Sequence, residues 1–267
     1  MTAFTAPMRM KTAGRNHYYV DATGWRMPGV TTILGDGLPK KALINWAANA
    51  TAEYAVNNWD DLSLLPPADR LKKLQGARYE AKDAAAKRGT EVHDLAEKLI
   101  TGAEVKVPEA IAGYVEAYAR FLDEFRVEAV LTERPVANYR LGYAGKFDLI
   151  AWLTDADGSR DLWFLDIKTT RSGIFGEVAL QIAAYAQAEV YQDDDGTEHP
   201  LPAATRYGGI HVRSDGYDLY ELNTEQLLAF RYVMQVAAWD EISRELVSAP
   251  LEKPIASTFR LTREARA

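Results

Sequence analysis

Apolar and polar positions follow two different periods along this chain, and the change from one to the other divides it. From residue 41 to about 58, Leu43, Ile44, Trp46, Ala47 and Ala50 recur at helical spacing, and Leu64-Leu65-Pro66-Pro67 stops any continuation. The pattern predicts a second helix over about 68–87 and a third from Thr90 to Thr101, closed by Gly102. Upstream, Tyr18-Tyr19-Val20 and Trp25-Arg26-Met27 flank Asp21-Ala22-Thr23-Gly24 and read as a small hairpin. Pro28-Gly29 then breaks the chain before Val30-Thr31-Thr32-Ile33-Leu34, a segment too short for its period to decide between helix and strand.

Beyond Val107-Pro108 the pattern changes. Ile111, Tyr114, Val115, Tyr118, Leu122 and Phe125 mark one face of a long amphipathic helix. Strands are then predicted at roughly 128–139, 143–153, 161–169, 207–213 and 217–222, with helices at roughly 175–191 and 224–246. Asp155-Ala156-Asp157-Gly158 and Ser214-Asp215-Gly216 are turns between strands. Asp193-Asp194-Asp195-Gly196 lacks the further spaced ligands of a calcium loop and reads as a solvated turn. This order predicts an α/β fold with a central mixed sheet flanked by helices. Residues 1–104 form a mainly helical N-terminal region, and 105–267 the core domain.

Composition narrows the chemistry. The 267 residues are 48% hydrophobic, enough for a well-buried interior. No run of about eighteen apolar residues and no charged-apolar-small leader occurs, which leads us to expect a soluble, cytoplasmic protein without a membrane partner. Zero cysteines excludes disulfides, thiolate zinc sites, cysteine nucleophiles and cysteine-held iron–sulfur clusters. No G-x-x-x-x-G-K-[ST] loop is present, so the chain is not by itself an ATP-driven motor. The net charge of −7 is unevenly spread: residues 1–90 carry thirteen Lys and Arg against eight Asp and Glu, a balance of +5, leaving −12 for the rest. A polyanion would therefore meet its positive wall in the N-terminal third.

The densest chemistry lies between Gly145 and Tyr185. Gly145-Lys146-Phe147-Asp148 opens an apolar strand, Asp166-Ile167-Lys168 closes the next, and Gln181 and Tyr185 share a face of the helix that follows. Side-chain alternation puts Asp166 and Lys168 on one face, and pairing of the two strands would bring Asp148 to the same point. Two carboxylates beside an ammonium suit a hard divalent cation with oxygen ligands and water left on it for chemistry. The lysine would position or deprotonate an attacking water, or stabilise a pentavalent phosphate. The plainer alternative for Asp166 is an ion pair with Lys168 or Arg171 at a strand end. Glu133, in Leu131-Thr132-Glu133-Arg134-Pro135, could reach the site from the first strand, but reads more simply as a solvent-facing strand carboxylate. Trp46 reads as core packing, although Trp25, Trp46 and Trp59 could each stack on an unpaired base for about 1–3 kcal/mol. His199 and His211 show no convergent partners.

This ordered set resembles the PD-(D/E)XK nuclease superfamily, specifically its RecB-like branch. There a helix histidine precedes a G-x-x-D strand, a D-x-K strand and a Q-x-x-x-Y helix. His93 in Arg88-Gly89-Thr90-Glu91-Val92-His93 matches the histidine, and the likeness spans about residues 88–191. Pro28–Leu34 with Trp46 is more loosely similar to phage members. The resemblance implies a restriction-endonuclease-like fold in which His93, Asp148, Asp166 and the Ile167 carbonyl bind Mg2+ or Mn2+, and Lys168 assists the water. It implies that Gln181 and Tyr185 flank the site and contact substrate or the metal's water shell, with further substrate contacts from Arg88 and Thr90. It further implies DNA as partner, with a separate recombinase, helicase or single-strand-binding protein acting alongside in recombination, repair or phage replication. The four cluster-binding cysteines of several relatives are absent, and an imidazole ligand favours Mn2+ over Mg2+. Expectations of other classes are a catalytically silent DNA clamp of the same fold and a phosphoesterase acting on small nucleotides.

Overall fold

The computed structural model describes residues 4–13, 16–170, 172–243 and 245–251. Its centre is a mixed five-stranded sheet, in the order β12-β11-β8-β7-β4, which bears out the α/β expectation. The strands are β4 (Glu128–Thr132), β7 (Leu149–Thr154), β8 (Arg160–Lys168), β11 (Arg206–Val212) and β12 (Tyr217–Glu221). Strand β11 runs parallel to β8, and every other neighbouring pair is antiparallel. The turns at Asp155–Gly158 and Ser214–Gly216 close β7 to β8 and β11 to β12, as expected.

Alternation along β7 and β8 feeds two cores. Leu149, Ala151, Leu153, Trp163, Leu165 and Ile167 face helix α5 (Ala112–Glu124) through Ala117, Tyr118 and Phe121. Ile150, Leu162 and Phe164 face the other way, onto α1 (Val30–Gly37), α6 (Gly176–Ala186) and α7 (Leu227–Ser243). The segment that sequence left undecided is thus a helix, with Val30, Ile33 and Leu34 buried. A three-stranded sheet of β1 (Arg9–Ala13), β2 (Asn16–Val20) and β3 (Arg26–Met27) contains the expected hairpin. Met8, Tyr19 and Met27 pack it onto Ala137 and Ala144.

Three sequence expectations need correction. The helices expected at about 68–87 and 90–101 are one helix, α4 (Pro67–Ile100), of 34 residues and about 51 Å. Alanines at 84–86 carry the helix through Arg88-Gly89, and the bare Gly89 faces the Thr169 hydroxyl. Helix α2 (Lys41–Asn57) forms as predicted, but none of its residues is buried: Leu43 and Ile44 are exposed and Trp46 is 38% exposed, so it is not a core residue.

The third correction shapes the site. The strands expected at 128–139 and 143–153 each bend midway. Their outer halves, β5 (Pro135–Asn138) and β6 (Tyr143–Lys146), leave the central sheet to join β9 (Val190–Gln192) and β10 (Glu198–Pro200) in a second sheet, β10-β9-β5-β6. Both strands bend at one level, where the Glu133 N–H donates to the Asp148 carbonyl at 2.8 Å and the Phe147 N–H to the Arg134 carbonyl at 3.2 Å. Glu133 adopts a left-handed φ of 52° there, uncommon for a residue with a side chain. The crease turns Glu133, Lys146 and Asp148 towards the interior.

Beside this crease a methyl group added at Gly145 would overlap the ring of Tyr185, which is 2% exposed and stacks on Phe164. Gly145→Ala should therefore destabilise the fold by roughly 1–3 kcal/mol in chemical denaturation. A midpoint equal to that of the unmodified protein would show that the ring has room to move.

Candidate active site

Four elements converge on the crease. Helix α4 brings His93, the crease itself Glu133, Lys146 and Asp148, strand β8 Asp166 to Lys168, and helix α6 Gln181. The antiparallel register of β7 and β8 sets Leu149 opposite Leu165, so Asp148 lies at the end of β8 as the sequence reading required. Its carboxylate accepts the Ile167 N–H at 2.6 Å.

His93 stands between the two halves of the site. Its Nε2 lies 3.1 Å from the Ile167 carbonyl oxygen. A carbonyl only accepts, so Nε2 carries hydrogen and Nδ1 is the nitrogen turned to the carboxylates. Nδ1 lies 3.7 Å from both Glu133 Oε1 and Asp148 Oδ2. Burial alone would depress the imidazole pKa; Asp148 and Glu133, with Asp166 further off, outweigh it and raise it to about 9. Burial pushes Asp148 up to about 6, with Asp166 and Glu133 adding to the rise and His93 and Lys168 opposing it. Glu133 goes the other way. Burial would raise it, but His93 and Lys146 hold it below the usual carboxylate range, with Lys146 Nζ 2.5 Å from Oε2.

Asp166, Lys168 and Gln181 form a second, closed set. Asp166 is 2% exposed; its Oδ1 accepts from Gln181 Nε2 at 2.8 Å and its Oδ2 lies 2.5 Å from Lys168 Nζ. Lys168 Nζ also reaches Gln181 Oε1 at 3.4 Å. Burial would lower the lysine pKa, yet Asp166 and Asp148 more than offset it, so the side chain is a held ammonium.

The expected ligands are thus brought together in part, and the group most compact around one point differs from the expected one. His93, Glu133 and Asp148 place ligand atoms all within 4.8 Å of one another. Ligands bound at about 2.1 Å to one Mg2+ or Mn2+ sit roughly 3–4 Å apart, and the two 3.7 Å separations from Nδ1 fit that spacing. Glu133 is accordingly the site residue that sequence reasoning named and discounted. The signal was its position: a carboxylate before Arg134-Pro135, where a strand breaks opposite Lys146 and Asp148.

The remaining expected residues divide. Ile167 enters through its carbonyl, but the contact is with His93. Tyr185 is buried beneath Gly145. The Thr90 hydroxyl donates back to the Ala86 carbonyl at 3.1 Å. Arg88 is half-buried 6.0 Å from the Tyr114 ring, with its Nε unpartnered among the described residues. Arg171 lies outside the described residues. His199 and His211 both have partners: His199 pairs with Asp193 at 2.7 Å, and buried His211 contacts the Thr170 carbonyl at 2.7 Å and Arg213 at 3.2 Å. Trp25 and Trp59 are exposed. An open groove of about 620 Å3, lined by Lys40, Leu43, Ile44, Ala47 and Arg78 among others, lies away from this chemistry. Arg78 is about 22 Å along α4 from His93. Among the described residues no helix is long and apolar enough to cross a membrane.

No family model matches the chain, and no curated protein matches it. Among solved structures it is similar to one titled "Crystal structure of SSO0001", at 16% identity over 60% of this chain and 69% of that one, with a TM-score of 0.27. An overlap that low transfers neither topology nor function.

The charge balance of the pocket has a direct readout. In the metal-free protein, the His93 ring should titrate near pH 9 by NMR, and Asp148→Asn should move the midpoint down towards the ordinary value of about 6.5. A midpoint near 6.5 before any substitution would show that the carboxylates do not face the ring.

Proposed function

We propose that the chain is a Mg2+- or Mn2+-dependent deoxyribonuclease of the PD-(D/E)XK type, RecB-like branch, acting as an exonuclease on DNA ends. The observation that carries this reading is the meeting of His93, Glu133 and Asp148 beside the Asp166–Lys168–Gln181 set at one crease. A protein that only clamped DNA would have no electrostatic use for three carboxylates next to polyphosphate.

His93, Glu133 and Asp148 would hold the cation, with Asp166 completing its oxygen side. When bound, the ion polarises the scissile phosphate and lowers the pKa of water at the site. Gln181 orients the Asp166 carboxylate through its amide nitrogen and the lysine through its amide oxygen. Lys168, held as an ammonium by Asp166, serves the negative charge that grows on phosphate rather than taking a proton from water. Lys72, Lys73, Arg78, Lys82 and Lys87 are exposed along α4, the helix that carries His93, and supply the cationic wall for a DNA backbone. A separate recombinase, helicase or single-strand-binding protein would deliver the ends, in recombination, repair or phage replication in a bacterial cytoplasm.

End-labelled DNA with and without Mn2+ tests the reading. Asp166→Ala and Lys168→Ala should each lower metal-dependent cleavage at least about a hundredfold while DNA binding persists. Binding without degradation would favour a clamp, and turnover of mononucleotides with polymer left intact would favour a phosphoesterase. By calorimetry Glu133→Gln should weaken Mn2+ binding about tenfold or more. Unchanged affinity would leave Glu133 as a partner of Lys146 alone.

A further inference from the structure

Two lysines enter the crease, and they are held differently. Lys168 has two partners, the Asp166 carboxylate at 2.5 Å and the Gln181 amide oxygen at 3.4 Å. Lys146 has one ion-pair partner among the described residues, Glu133, whose Oε2 lies 2.5 Å from its Nζ. The same carboxylate turns its other oxygen, Oε1, to His93 Nδ1 at 3.7 Å and belongs to the compact group with Asp148. One carboxylate thus serves both a lysine and the group whose spacing fits a divalent cation.

Those two uses oppose each other. An ammonium and a divalent ion on one carboxylate repel, twice as strongly as two single charges at the same separation. In the metal-free protein the lysine has a clear part to play, because Glu133 repels Asp148 across the group, and Lys146 and His93 offset the charge of Glu133. The lysine is also the partner able to leave. Its backbone is fixed: Lys146 ends β6 opposite Pro135, and its neighbour Phe147 is buried against Phe164. Its side chain is 30% exposed, against 16% for Glu133, so the amine has a path to water while the carboxylate stays in place. A lysine carries its charge as a point on a flexible stem, without the planar fork that would lock an arginine onto both oxygens. Lys168, gripped by a buried aspartate and an amide together, has no such freedom.

We propose that Lys146 is a built-in counter-ion of Glu133 that gives way when the metal binds, and that it thereby sets how tightly the site takes Mg2+ or Mn2+. This regulation rests on the metal-dependent activity proposed above. By calorimetry on the full chain without DNA, Lys146→Met should bind Mn2+ about tenfold tighter than the unmodified protein, whereas Lys146→Arg, which keeps the competing charge, should bind no tighter. In a Glu133→Gln background the shared carboxylate is gone, and Lys146→Met should then change the affinity less than about twofold. Thermal melting gives a second readout: Lys146→Met should melt lower than the unmodified protein without metal and gain more on adding Mn2+. Lys146→Gln carries the same expectations where Lys146→Met fails to fold. Equal or weaker Mn2+ binding by the Met and Gln variants, or the same gain with and without Glu133, overturns the proposal and leaves the metal-dependent reading standing. No Mn2+ binding by the unmodified protein overturns both.

Discussion

Like charges do not share a dry pocket unless something of opposite sign is held among them. At this crease three carboxylates, Glu133, Asp148 and Asp166, are packed with three groups able to carry positive charge, Lys146, Lys168 and His93. The consequences appear in the proton equilibria: His93 is driven up to about 9, and Asp148 is pushed to about 6 although two cations oppose the rise. Such a pocket suits a divalent ion, which can supply the positive charge without the bulk of three side chains. The fold is arranged around meeting this condition. Glu133 reaches the site through a left-handed backbone turn, Gly145 lets Tyr185 close the floor, and α4 passes close enough to set the imidazole against the Ile167 carbonyl.

How much of this was legible depends on whether a residue's role was local. Asp166-Ile167-Lys168 and Gln181 stood out because each places isolated polar groups at the end of an apolar element, and the register of β7 with β8 followed from a short turn. Glu133 was legible only as a discounted alternative. Alternation counted straight through 128–139, and the bend that turns its carboxylate inward depends on β5 pairing with β9, more than fifty residues away. The continuity of α4 across Gly89 was hidden in the same way, because a glycine weakens a helix locally while the packing of its flanks decides the outcome.

Apolar periodicity also announced faces without naming what covers them. Both α2 and the outer side of α7 carry regular apolar positions, and both face away from the cores. The stripe on α7 lies opposite an inner face that is already packed against the core. Stability and chemistry thus sit on different parts of one chain: the central sheet fixes the crease, and the crease concentrates charge.

The most direct test of that central claim is an anomalous-scattering map from crystals of the unmodified protein grown with Mn2+. The account predicts one strong peak bounded by His93 Nδ1, Glu133 and Asp148, lost when His93 is replaced by alanine. An empty pocket at millimolar Mn2+, or a peak held by other residues, would contradict it.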